Sequence, residues 1–244
     1  MATEICLYGD IGKDWWSEEG IDEVMVLEAL QTLDPSAVKH TVRINSPGGN
    51  VDTGLAILTL LRSHAAQMKA TNDAFQLETS CDGYAMSSAS VIFMAGDIRT
   101  VALGGVVMIH DAWTCCYGNA TEMTKMVGVL DKLSQNTANI YAALCTPAGK
   151  DQPERSADYY RALMKEETYL IGNEAVDIGL ATNYDKGQTA SLLAALSPEK
   201  LKGKYVETMT KHYQRRTFTQ SRSSKSLTDA REALRQLKML EATL

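Results

Sequence analysis

The chain has 244 residues, 45% of them apolar, and a net charge of −6, enough for one substantial α/β domain with an extension or for two small domains. No apolar run approaches membrane-spanning length, and no basic segment followed by an apolar one opens the chain, so neither a membrane anchor nor a signal peptide is expected. The cysteines (Cys6, Cys81, Cys115, Cys116 and Cys145) are odd in number and lack metal-ligand spacing, which predicts free thiols in a reducing cytoplasm and no zinc site.

In chain order, Glu4 to Asp10 reads as a first strand, and Trp15-Trp16 as a loop. Ser17 to Leu33 has helical periodicity, with Ile21, Val24, Met25, Leu27, Ala29 and Leu30 on one apolar face. His40 to Ile44 is a second strand. It runs through Asn45-Ser46-Pro47-Gly48-Gly49 into a helix over Val51 to Ser63, with a polar connector after it. A Gly-Gly corner between strand and helix exposes backbone N–H groups that can hold an oxyanion, although the same residues also make an ordinary tight turn.

Phe75 to Cys81 is a short strand, and Gly83 a turn into a small-residue helix that begins near Ser87. A serine in the first turn of a helix sits among N–H groups without intrahelical partners, a favourable place for a nucleophile that forms an oxyanion beside itself. A close-packed structural helix is the competing reading. Asp97 to Ala102 and Val106 to Ile109 read as strands, and the second delivers His110. Of the four histidines, only His110 ends an apolar strand, whereas His40 opens a strand, His64 ends a helix and His212 lies in the tail. Ala120 to Cys145 is a long helix whose wide apolar stripe suggests burial against the body or another subunit. A helix over Ser156 to Lys165, a connector, a short helix ending at Gly179 and a closing strand at Leu180 to Thr182 complete a domain over 1–184.

Residues 200–244 carry eleven basic against four acidic residues, and the rest of the chain thirteen against twenty-six. An acidic body with a basic extension over 185–244 follows, with a mobile Ser/Thr-rich stretch at Arg215 to Lys225 and a terminal helix at Thr228 to Glu241. Such a tail suits nucleic acid, an acidic partner surface or simple solvation.

Three segments, Arg43-Ile44-Asn45-Ser46-Pro47-Gly48-Gly49, Gly83-x-Ala85-x-Ser87 and Val107-Met108-Ile109-His110, resemble successive signatures of the ClpP family. Ala95-Gly96 and Glu174-Ala175-Val176-x-x-Gly179-Leu180 extend the likeness over roughly residues 4–184. The resemblance implies an α/β, ClpP/crotonase-type fold of repeated ββα units, here with a C-terminal helical extension. It also implies a serine endopeptidase that needs neither ATP nor a cofactor or metal. Ser87 matches the nucleophile and His110 the base; the N–H groups of Gly49 and Ser88 match the oxyanion hole, with Gly48 beside the substrate. The triad acid falls on Glu167, where the family commonly has Asp; Asp111 and Asp177 are alternatives.

The form of the motifs is similar to phage-type members. This implies a prohead maturation protease in the host cytoplasm, acting on protein or peptide substrates with capsid or scaffold proteins as partners. The long helix matches the family's handle region, which implies a homo-oligomeric ring. Only Met1-Ala2-Thr3 precede the first strand, which argues against docking of an AAA+ unfoldase; nucleic acid and membrane are not expected as partners. The rival readings are a Ser–Lys peptidase, a crotonase-like acyl-CoA enzyme, and a non-catalytic shell or scaffold protein on the same fold.

Overall fold

The computed structural model describes residues 2–13, 19–149 and 154–186. The basic extension, its predicted helix, the Trp15-Trp16 loop and the predicted helix start at Ser17 lie outside them. The elements run β1 (Glu4–Tyr8), α1 (Glu23–Gln31), β2 (Lys39–Ser46), α2 (Val51–Thr71), β3 (Gln76–Met86), α3 (Ser88–Phe93), β4 (Ile98–Val101), β5 (Val106–Ile109), α4 (Ala120–Leu144), α5 (Ala157–Lys165), β6 (Thr168–Ile171), α6 (Glu174–Asp177) and β7 (Asn183–Tyr184). This is the expected mixed α/β architecture.

The sheet is parallel in the order β1-β2-β3-β4-β7. Strand β3 has two neighbours on the same side in succession. Its first part, Glu78 to Cys81, pairs with β4, and its last part, Tyr84 to Met86, pairs with β5. Strand β6 then joins β5 antiparallel. Alternation along β2 buries His40, Val42, Ile44 and Ser46 on one face, where the apolar ones join Val26, Leu30, Ile57, Leu58 and Leu61 in the core. The opposite face is polar and tied by ion pairs. Arg43 grips Asp82 with Nε and Nη2 at 2.7 and 2.8 Å, and the Tyr8 hydroxyl donates to the same carboxylate at 2.5 Å.

Several boundaries differ from the sequence expectation for identifiable reasons. Ile21 is held extended against Ile11, donating to the Asp10 carbonyl, so α1 begins only after Asp22, whose carboxylate caps Met25 N–H. Val26 and Leu30 face the core, while Val24, Met25 and Leu27 are exposed. The polar connector after Ser63 is helical through Thr71, because Ala65 and Met68 continue the buried face. His64 therefore lies within a helix and meets His40, Nε2 to Nδ1 at 2.9 Å.

Gly83 is not a turn but an interior residue of β3. A Cβ there would stand 2.6 Å from Asn45 Oδ1, the atom that accepts from Tyr84 N–H where the β2–β3 register shifts. The connector before Leu170 forms strand β6, and the closing strand falls at Asn183–Tyr184 rather than at Leu180. Helix α4 has the expected span, but its buried residues are confined to Ser134, Thr137, Ala138 and Tyr141; Met123, Val127 and Val129 are exposed in the single chain. Among the described residues no helix is long and apolar enough to cross a membrane.

Candidate active site

Strand β3 ends at Met86 and helix α3 starts at Ser88, which leaves Ser87 alone at the corner with φ 53° and ψ −127°. A residue with a side chain adopts this conformation only when its surroundings hold it there. Ser87 N–H donates to the Met108 carbonyl at 2.9 Å, and the Ser87 carbonyl accepts from Ser90 N–H at 2.9 Å. The first bond ties the corner to β5. That strand places His110 just beyond its end, with Nε2 2.7 Å from Ser87 Oγ. Both side chains are partly accessible to solvent.

Gly48 and Gly49 form the facing wall, both with positive φ. A Cβ on Gly48 would approach the Met86 carbonyl and Ser87 Cβ at 2.6 Å each, so the corner fits only against a glycine. The Gly48 N–H donates to Ser46 Oγ and its carbonyl accepts from Ile11 N–H. Its part is therefore the lack of a side chain rather than a backbone group offered outward. By contrast, neither Gly49 N–H nor Ser88 N–H has an acceptor among the described residues. An oxyanion requires such unengaged donors; Ser88 directly follows Ser87, and Gly49 directly follows Gly48, which abuts Ser87 Cβ.

The candidate acid, Glu167, is the least local member of the set. The antiparallel ladder runs Val106–Ile171, Val107–Leu170, Met108–Tyr169 and Ile109–Thr168, so the next residue on each strand is His110 and Glu167. Glu167 is exposed, has φ 49°, and accepts from the Tyr169 hydroxyl at 2.9 Å through Oε1. Of the two alternatives, Asp111 is engaged elsewhere. Arg161 Nε lies 2.9 Å from Asp111 Oδ1 and its Nη2 reaches Asp131, so the Asp111 carboxylate serves to pin the segment after His110 to α4 and α5. Asp177 is exposed on α6.

Three contributors escaped the sequence reading. Tyr141 Oη lies 2.8 Å from Ser90 Oγ, and Ser90 Oγ donates to the Ser87 carbonyl at 2.5 Å. Asn45 holds Tyr84, and Arg161 holds Asp111. A lone tyrosine within the apolar stripe of α4 was the available signal for the first. Among the described residues no cluster of three or more His, Cys, Asp or Glu could hold a metal ion.

Comparison with known proteins shows the family of the chain. The sequence model for Clp protease matches residues 2–184. The chain is similar to ATP-dependent Clp protease proteolytic subunit 2 of Treponema denticola, 26% identical over 189 residues that cover 77% of this chain and 84% of that one. It is also similar to the ATP-dependent Clp protease proteolytic subunit of Deinococcus radiodurans, 29% identical over 157 residues (62% and 72% of the two chains). The proteolytic subunit of Pleurastrum terricola is 26% identical over 171 residues (68% and 80%). The chain belongs to the Clp protease family.

Proposed function

We propose that this chain is a serine endopeptidase in which Ser87 is the nucleophile, His110 the general base and Glu167 the residue that orients His110. The observation that carries the reading is the 2.7 Å contact between Ser87 Oγ and His110 Nε2 at a positive-φ corner. Serine at neutral pH needs such a base within hydrogen-bond reach. With Nε2 accepting, the imidazole proton resides on Nδ1, and a carboxylate on that side steadies the imidazolium that forms.

Ser87 Oγ attacks the peptide carbonyl carbon as its proton passes to His110 Nε2. The carbonyl oxygen becomes an oxyanion between Gly49 N–H and Ser88 N–H. Collapse breaks the C–N bond, and His110 returns the proton to the leaving amine. Water then repeats the sequence on the acyl-enzyme and releases the carboxylic acid. None of these steps consumes a nucleotide, so short peptides should be cleaved without ATP.

The domain over 1–184 would act in a homo-oligomeric ring, as proteolytic subunits of this family do. The exposed apolar residues of α4 support burial against further copies. Action in phage head maturation rests on the form of the motifs. In that setting the basic extension over 185–244 would dock to scaffold or capsid protein and be removed by self-cleavage within 215–225. Intact mass after capsid assembly tests this: wild type should lose the tail and Ser87→Ala keep it, and an uncut wild-type tail counts against it.

The direct test is labelling with a fluorophosphonate. Wild type should be modified at Ser87, Ser87→Ala not at all, and His110→Ala far more slowly. An unlabelled wild-type assembly would leave the non-catalytic shell as the reading of this fold.

A further inference from the structure

We propose that Tyr141, on the long helix α4, is a positioning residue. Acting through Ser90, it orients and polarises the one peptide unit whose N–H serves as an oxyanion donor. The inference rests on the peptidase reading above, in which Ser88 N–H is that donor.

The peptide unit between Ser87 and Ser88 has two polar ends. Its N–H end, on Ser88, has no acceptor among the described residues. Its C=O end, on Ser87, accepts twice, from Ser90 N–H at 2.9 Å and from Ser90 Oγ at 2.5 Å. A hydroxyl has one hydrogen. Ser90 spends it on the Ser87 carbonyl, so in the 2.8 Å contact with Tyr141 the phenol must be the donor. The order is therefore fixed: Tyr141 O–H to Ser90 Oγ, Ser90 O–H to Ser87 C=O, and Ser88 N–H outward.

Each link polarises the next, most strongly where water is absent. Both Tyr141 and Ser90 are 1% exposed. Burial also pushes the Tyr141 phenol above its ordinary range, which keeps its proton in place for donation. Because the peptide is a planar resonant unit, drawing electron density toward its oxygen makes its N–H a better donor. The same bonds set the plane. Ser87 sits in a strained conformation, held on its amino side by the Met108 carbonyl and on its carbonyl side by Ser90. Without the Ser90 hydroxyl, the unit could rotate about Ser87 ψ and carry Ser88 N–H off the oxyanion position. One donor from Ser90 N–H would already satisfy the carbonyl; the second, backed by a buried tyrosine, is surplus to mere satisfaction.

A solely structural reading also exists, in which Tyr141 simply needs a partner for a buried hydroxyl. Variants of the full-length chain separate the two: Ser90→Ala, Tyr141→Phe, their double variant, and Ser90→Thr, which keeps the hydroxyl. The readouts are kcat and KM on a short peptide, the rate of fluorophosphonate labelling, and Tm. Losing an oxyanion donor outright costs on the order of 10²–10³ in rate, so weakening one should cost about tenfold. Ser90→Ala should lower kcat and the labelling rate by about that factor at unchanged KM, and Tyr141→Phe by about threefold. Added to Ser90→Ala, Tyr141→Phe should cost nothing further, since it acts only through Ser90. Ser90→Thr should restore most of the rate. Wild-type rates in both single variants, additive losses, or losses that follow Tm with kcat per folded molecule unchanged would each overturn the inference. If wild type itself takes no label, the peptidase reading fails and this inference with it; if wild type and variants label at the same rate, only this inference fails.

Discussion

Ser87 and Glu167 share a positive φ, 53° and 49°, that no other non-glycine residue among the described ones adopts. The two positions are far apart in sequence and serve different elements. Ser87 turns β3 into α3, whereas Glu167 follows the C-cap of α5, its N–H donating to the Met164 carbonyl. Glycine is the usual residue just past a helix end of this kind. Two strained side-chain-bearing residues, one the proposed nucleophile and one the proposed acid, fit strain retained for chemistry rather than for folding.

From this comes an opposed pair of effects at one position. Glu167→Gly should raise the free energy of unfolding by about 0.5–1 kcal/mol, because the left-handed conformation is unstrained for glycine. The same change should lower kcat by about tenfold or more, through loss of the carboxylate proposed to orient His110. Urea titration and peptide hydrolysis on the same preparation check both. An undiminished kcat would remove Glu167 from the triad.

Gly48→Ala should disable the corner. Its Cβ would meet the Met86 carbonyl and Ser87 Cβ at 2.6 Å, and neither atom belongs to a flexible tail that can swing away. Overpacking of this kind costs about 1–3 kcal/mol, and here the displaced group is the proposed nucleophile. We expect a lowered Tm together with loss of fluorophosphonate labelling. A variant that labels at the wild-type rate would show that the corner tolerates the displacement.

Acid should weaken the fold through the histidine pair. His40 is fully buried, hydrogen-bonded to the Asp34 carbonyl through Nε2 and to His64 Nε2 through Nδ1. Burial, with His40 as a second cause, holds the His64 pKa below its ordinary value. The folded state therefore favours neutral His64, while the unfolded chain takes up its proton near pH ~6.5. The contribution is complete above that pH and declines as pH falls below it. The urea midpoint should drop between about pH 7.5 and about pH 5.5, and His64→Leu should flatten that part of the profile. An identical slope in the variant would assign the effect elsewhere.

The Arg43–Asp82 pair predicts an asymmetric double-variant cycle. Its side chains are only 14% and 8% exposed, so either charge left alone is poorly solvated. Asp82→Leu and Arg43→Met should each cost about 3 kcal/mol alone, whereas the double variant should recover much of that loss. Denaturant unfolding of the three variants checks the sign of the coupling.

The corners were legible in the sequence because their chemistry is local. Pro-Gly-Gly before a helix, a run of small residues around Ser87 and a histidine ending an apolar strand all lie within a few residues of the features they create. What was misread depends on partners distant in the chain. Gly83 looks like a turn until Asn45 is brought against it. Thr168 to Ile171 is too short to declare itself a strand without β5 beside it. The connector after Ser63 is polar on its exposed side, and only the burial of Ala65 and Met68 makes it helix. The link of Ser90 to Tyr141 needs α4 folded over α3.

The pairing of β5 with β6 has a kinetic consequence. The two strands are neighbours in the sheet, yet the chain leaves at Ile109 and returns only at Thr168, after building α4 and α5. Closing so long an excursion is entropically costly and favours late formation. The strand pairs β1–β2 and β2–β3 are each bridged by a single helix and carry much of the core. A refolding chain should therefore regain sheet burial first and the proposed reactivity at Ser87 afterwards, leaving an interval in which a compact protein is chemically silent.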